Sequence, residues 1–180
     1  MNTYIALFRG INVGGKNILP MKELVGILDG LGCQRVRTYI QSGNVVFKNN
    51  ETNFSGLSGN IEAEIKRRHG FAPFVLLLSL EEFEKILENN PFPEVRNDPK
   101  ALHVGFLASA PKEPNLKTLE SLRNKSERFR LIDNAFYLHA PGGVGRSRLA
   151  ASTEKLLGVS MTDRNWKTVT KILEMAKGID

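Results

Sequence analysis

One cysteine in 180 residues leaves no partner for an intramolecular disulfide and removes cysteine-rich metal sites. Cys33 follows Gly32 at a helix end and reads as a small packing residue. The three histidines, His69, His103 and His139, lack the H-x-x-x-H and H-E-x-x-H spacings of a zinc site, so no metal is expected. No apolar run approaches the roughly 18 residues of a membrane span; the longest, FAPFVLLLSL, fits a buried strand. MNTYIALFRGINVGG has no basic start before its short apolar run, so no signal peptide is expected. Blocks of like charge are missing too, which excludes a disordered basic arm. Together these absences predict a cytoplasmic, reduced protein without membrane contact.

What is present is a globular composition, with 41% hydrophobic and 24% charged residues. A length of 180 residues suits one medium domain or two small ones. The net charge of +6 mildly favours anionic partners, although 19 acidic residues are mixed among 25 basic ones.

The first 80 residues spell βαββαβ. YIALFR is rich in strand formers, and Pro20 suits the first turn of a helix carrying Met21, Leu24, Val25 and Leu28 on one face. RVRTYIQSGNVVFK reads as two strands about a Ser-Gly-Asn turn. Leu57, Ile61 and Ile65 mark a second helix stopped by Gly70, and PFVLLLS follows as a strand. The compact solution is an antiparallel sheet with both helices on one face, the ferredoxin-like arrangement.

From residue 81 the order partly recurs. A short helix around Phe83, Ile86 and Leu87 breaks at Pro91, and ALHVGFLA is a strand. NLKTLESLRN is a short helix, and ERFRLIDNAFYLHAP is a hairpin turning at Asp133-Asn134. SRLAASTEKLLG and MTDRNWKTVTKILEMAKG close the chain as helices, the latter capped by Thr162 or Asp163. The fold class is therefore α+β, with two ferredoxin-like halves, residues 1–80 and 81–180, packed as one compact unit.

GINVGGKN, residues 10–17, is a Walker A loop up to its last position, where Asn17 replaces Ser or Thr. Asn17 lacks the hydroxyl that would ligate Mg²⁺, and the helix starts about four residues too late to aim its dipole at a phosphate. No later strand ends in a suitable Asp. The resemblance to a triphosphate P-loop fails. What survives is a glycine loop, Gly10, Gly14 and Gly15, flanked by Arg9 and Lys16, which suits either a tight turn or a nest of amides for an anion. A second such loop, APGGVGRSRLA, carries Arg146 before Ser147, the expected cap of the next helix.

Other candidates carry less. His103 reads as a hydrogen-bonded core residue that His139 could approach if their strands pair, allowing acid–base chemistry. Gln41, Ser42 and Asn44 are turn residues, and QSGN is no nucleophile elbow. Tyr4, Ala6 and Phe8 share one strand face near Tyr39 and Phe47, as in RNA-binding sheets. The RNP1 pattern is absent, however, and burial of that face under the second half is the preferred reading. Arg164, Lys167 and Lys171 form a basic helix face.

The stretches ALFRGINVGGKN, TYIQSGNVVF, NPFP, HVGFL, PGGVGRS and TDRNWKTVTK, spread over nearly the whole chain, resemble a bacterial family known only as a domain of unknown function. The resemblance implies paired ferredoxin-like halves and no established reaction, substrate or cofactor. Its characteristic residues fall here on Arg9, Gly10, Asn12, Gly14, Gly15, Gln41, Ser42, Gly43, Asn44, Arg164, Asn165 and Trp166.

The functional expectation is a binding module for a phosphate-containing ligand, a nucleotide or nucleic acid. Arg9, Gly10, Asn12, Gly14, Gly15, Lys16, Gln41, Ser42, Asn44, Arg146, Ser147 and Arg164 would form an anion cleft between the halves. The alternatives are an enzyme acting on a small phosphorylated metabolite, with Gln41, Ser42, Asn44 or His139 at that cleft, and a protein-interaction module. No cofactor is expected.

Overall fold

A computed structural model describes residues 1–179, Arg96 by its backbone alone. By internal contacts the chain divides into two units, Met1–Lys85 joined by the chain from Lys171 onward, and Ile86–Thr170.

The first unit contains β1 (Asn2–Arg9), α1 (Met21–Gly30), β2 (Gln34–Tyr39), β3 (Asn44–Asn49), α2 (Phe54–His69) and β4 (Phe74–Ser79). Its antiparallel sheet runs β2-β3-β1-β4. Helix α2 begins where the Asn53 side chain accepts the Gly56 amide and ends at Gly70, whose φ of 79° closes the last turn. Leu57, Ile61 and Ile65 of α2, with Leu24, Ile27 and Leu28 of α1, bury Tyr4, Ala6, Phe8 and Phe47 in one cluster. Burying each large apolar side chain is worth roughly 1.5–3 kcal/mol. Thus the aromatic face of β1 is covered by the helices of its own unit. It offers no platform for bases, and the second half is not needed to explain its burial. Cys33 joins the same cluster, where burial pushes its thiol pKa up.

Helix α3 (Leu80–Glu88) and a 3₁₀ turn over Pro93–Asn97 lead to the second sheet. There β5 (Leu102–Leu107), α4 (Leu116–Leu122), β6 (Arg128–Ile132), β7 (Ala135–His139), α5 (Arg148–Leu157) and β8 (Met161–Asn165) repeat the βαββαβ order. The strand order β6-β7-β5-β8 matches that of the first sheet position for position, and its pairs are antiparallel. Helix α6 (Trp166–Lys177) ends the chain. The fold is α+β, and both halves are ferredoxin-like.

β8 corrects the sequence reading, which ran the last helix back through residues 161–165. Met161-Thr162-Asp163-Arg164-Asn165 has no apolar run to announce a strand. It is held by pairing with β5, from His103↔Asn165 to Leu107↔Met161. The helix starts at Trp166, and its cap is Asn165, whose Oδ1 accepts the Thr168 N–H at 2.9 Å. Neither Thr162 nor Asp163 caps it.

Within the second unit the fully buried Tyr137 donates its hydroxyl to the Ile86 carbonyl at 2.6 Å, and burial raises its pKa well above the usual phenol value. Removing that hydroxyl strands a buried carbonyl. Tyr137→Phe is expected to cost about 1–2 kcal/mol in urea unfolding. A loss of less than about 0.5 kcal/mol would mean that water replaces the bond.

Candidate functional site

Nine of the twelve sequence-predicted site residues gather at one end of the first sheet. There β1 ends at Arg9, and the β2–β3 turn supplies Gln41, Ser42 and Asn44. Residues 10–19 form a small hairpin. Val13 and Lys16 bridge across Gly14 and Gly15, whose φ values of 57° and 74° are those of a two-residue turn with both centres left-handed. The Lys16 N–H bonds the Val13 carbonyl at 3.0 Å, and the Asn12 N–H bonds the Asn17 carbonyl at 3.0 Å. Gly14 and Gly15 therefore have a turn to make, while their own N–H groups meet no acceptor among the described residues.

Asn12 fastens this hairpin to its neighbours. Its Nδ2 donates to the carbonyls of Leu19 and Gln41, each at 2.9 Å, and its Oδ1 accepts the Leu19 N–H at 2.8 Å. Asn17 Nδ2 adds a bond to the Gly10 carbonyl at 2.8 Å. Ile11 and Leu19 anchor both ends of the loop in the core. In the facing turn, buried Asn44 donates to the Tyr39 carbonyl at 3.1 Å and to Ser42 Oγ at 3.0 Å, and the Phe8 N–H reaches the Gly43 carbonyl at 2.8 Å. These residues hold two loops side by side. Arg9, Lys16, Gln41 and Ser42 are exposed on them, with the Arg9 guanidinium 5.1 Å from the Phe74 ring centre.

The remaining three residues belong to the second unit. Arg146 is exposed at the end of a 3₁₀ turn after Gly143, which has a φ of 81°. Ser147 is buried, and its Oγ accepts the Ala150 N–H at 3.0 Å, capping α5 as expected. Arg164 donates to Thr162 Oγ1 at 2.9 Å and to the Asp163 carbonyl at 2.8 Å; burial brings its pKa down to about 10, against the opposing pull of Asp163. It stays charged at neutral pH.

The two histidines do not form an acid–base pair. His139 stands opposite Leu102 and His103 opposite Leu138, so the two rings project from opposite faces of the sheet. His103 Nδ1 lies 2.6 Å from Asp163 Oδ2 and Nε2 lies 3.1 Å from the Lys100 carbonyl. With both nitrogens facing acceptors, the imidazolium is the species that satisfies the site. Burial works against the charge, but the hydrogen bond and charge of Asp163, aided by the Lys100 carbonyl, carry the His103 pKa above its ordinary 6.5. A raised folded pKa means that the native state holds its proton longer than the unfolded chain. This stabilisation is complete below about pH 6.5 and fades as pH rises through the folded value. At His139, burial and then Arg128 lower the pKa, so its contribution changes only on the acid side. Unfolding midpoints are therefore expected to fall as pH rises above about 6.5 in the wild type and to fall less in His103→Gln. Parallel profiles for the two proteins would contradict this assignment.

A cluster outside the predicted set also emerges. Arg123, Lys125, Arg128 and Arg130 line one cleft of the second unit. Its signal in the sequence was RNKSERFR, four cations in eight residues, too short to register as a charge block. Among the described residues no group of three or more His, Cys, Asp and Glu side chains is placed to hold a metal, and no helix is long and apolar enough to cross a membrane.

The model of a family described as a protein of unknown function (DUF1697) matches residues 1–137. Among solved structures, a conserved bacterial protein, SP0830 from Streptococcus pneumoniae, is 32% identical with a TM-score of 0.67, over 97% of this chain and 98% of that one. No curated protein matches.

Proposed function

The chain belongs to the DUF1697 family, and from that premise we propose that it is a binding module for a phosphate-containing ligand, seated on the paired loops of the first unit. The observation that supports this reading is the fastening of residues 10–19 to the 40–43 turn by Asn12. It presents Arg9 and Lys16 beside the uncommitted amides of Gly14 and Gly15 on a scaffold already ordered. Preordered donors bind an anion without a further entropy cost. Arg9 and Lys16 supply charge, the amides supply direction, and Gln41 and Ser42 are neutral hydrogen-bonding groups on the adjacent turn. In the second unit, Arg146 beside the capped start of α5 is a further candidate anion contact, while Arg164, one register position from Asp163, projects from the opposite face of β8 and does not join it.

The test is a thermal-unfolding panel of inorganic phosphate, nucleotides and short RNA. A ligand at 100 times its Kd adds roughly 2.7 kcal/mol to stability. Wild type is expected to show such a rise with at least one member, and Arg9→Gln/Lys16→Gln to lose it. No rise across the panel would end the proposal.

A second reading, an interaction module, draws on Val13, Ile18 and Ile40, which are 66%, 56% and 52% exposed on the same two loops. Large apolar side chains grouped at one surface favour a macromolecular partner. Binding that survives high salt and is lost in Val13→Ser/Ile18→Ser would favour it over phosphate recognition.

A further inference from the structure

A concavity with a distinctive lining lies within the second unit. It is a cleft of about 590 Å³ lined by Arg123, Lys125, Arg128 and Arg130, with Phe92 and Phe129 as its apolar walls. Volumes of this order suit a ligand the size of a nucleotide. Arg128 and Arg130 lie on one face of β6 and Phe129 on the other, because side chains alternate along a strand. A cavity that touches both faces of a strand runs along its open edge, and β6 is the edge strand of its sheet. Besides its cations, the cleft therefore meets the outward amides of an unpaired strand.

The cations differ in how they are held. The Arg128 guanidinium sits 4.8 Å from the Phe92 ring centre and bonds Glu94 at 2.7 Å, which fixes its plane. Arg123 pairs with Glu120 and donates to the Glu127 carbonyl at 3.2 Å. The side chains of Lys125 and Arg130 have no ion-pair or hydrogen-bond partner among the described residues. Lys125 stands on a loop made rigid by Asn124, whose Oδ1 accepts the Ser126 and Glu127 N–H groups at 3.0 and 3.1 Å. Two fixed guanidinium groups and two unspent charges in one hollow match several phosphate groups in a row better than a single one. Aggregation defence explains cations on an edge strand, but it does not require a cavity or a cation on the preceding loop.

The geometry points to a second anion site, in which the β6 edge cleft binds a chain of phosphates through Lys125 and Arg130, positioned by Arg123 and Arg128. It is independent of the loops of the first unit. The ligand's chemistry is a polyphosphate, whether carried by a free nucleotide or by a nucleic-acid backbone.

The experiment titrates the full chain with tripolyphosphate at about 0.15 M salt, where loose surface charge is largely screened. Calorimetry measures affinity, and backbone amide shifts locate binding. Lys125→Gln/Arg130→Gln alters exposed side chains and is compared with Lys112→Gln/Lys155→Gln, which removes the same charge from exposed lysines outside both sites. The expected result is amide shifts across residues 123–130, affinity weakened about ten-fold or more by the cleft pair, and little change from the control pair. ATP without metal and a uridine hexanucleotide form the other arms. Tighter binding of the first than of tripolyphosphate supports a nucleotide, and tighter binding of the second supports a nucleic-acid backbone. Equal losses from both variant pairs, shifts confined to residues 10–17, or no binding would each overturn the cleft site. Shifts confined to residues 10–17 would leave the loop proposal standing, so the two can fail separately.

Discussion

Gly43→Val is expected to destabilise the protein by about 3–5 kcal/mol, the largest effect of any single substitution in the loop region. Two costs combine there. The φ of Gly43 is 77°, a left-handed conformation that costs an L residue roughly 1–2 kcal/mol and a β-branched one more. A Cβ built on it would stand 2.5 Å from Phe8 Cβ and 2.7 Å from Ile11 Cδ1. Phe8 Cβ is fixed to the central strand and cannot swing aside, so the turn itself must move. Moving it breaks the Phe8 N–H to Gly43 carbonyl bond and displaces Gln41 and Ser42 from the hairpin beside them. Urea unfolding measures the loss, and Gly43→Ala should fall between wild type and valine. A valine variant within about 1 kcal/mol of wild type would show that the turn yields cheaply. The turn would then set the register of the two loops only loosely.

Asn12→Ala is expected to cost about 3 kcal/mol. The side chain satisfies the N–H and carbonyl of Leu19, which is fully buried, and the carbonyl of Gln41. Stranding a buried polar group costs roughly 1–3 kcal/mol, and water reaches the Gln41 end more easily than the Leu19 end. The φ of 52° adds to the loss, since Asn tolerates that conformation better than Ala. Asn12→Asp separates the contributions. It keeps an acceptor for the Leu19 N–H but sets a carboxylate against two carbonyl oxygens, so it should be as damaging as alanine at neutral pH. Protonating that carboxyl returns one donor, and because the facing carbonyls raise its folded pKa above the unfolded value, the gap to wild type should narrow as pH falls from neutral towards about 4 and level off below it. A gap that is constant with pH would show that the donor bonds contribute little. The same variant would be expected to lose any stabilisation by phosphate, because the hairpin and the turn would no longer be held together.

The elements with strong periodicity were legible in the residues alone. Leu57, Ile61 and Ile65 announce α2, Gly70 its end, and Asp133-Asn134 the turn of the β6–β7 hairpin, where Asp133 takes a φ of 51°. Ser147 as a cap followed from its place before a helical stripe. β8 was not legible, because five polar-rich residues become a strand only when β5 offers them an unpaired edge. The same limit hid the facing of the histidines, since a one-residue register decides which side of a sheet each ring takes. At the loops, glycine spacing disclosed a turn and Asn17 broke the P-loop resemblance. No spacing rule pairs Asn12 with Gln41, 29 positions away.

By itself the sequence determined the class of fold, its near-duplicated order and the chemistry available: a single cysteine with no intramolecular disulfide partner, and glycine loops flanked by cations. These are local properties, written in propensity, turn chemistry and charge. The tertiary structure alone decided which of them meet. It joined residues 10–19 to the 40–43 turn, separated His103 from His139, and gathered Arg123, Lys125, Arg128 and Arg130 around one strand edge. The physical reason is that hydrogen-bond register and core packing act between residues far apart in the chain. Neither is encoded in any short window of it.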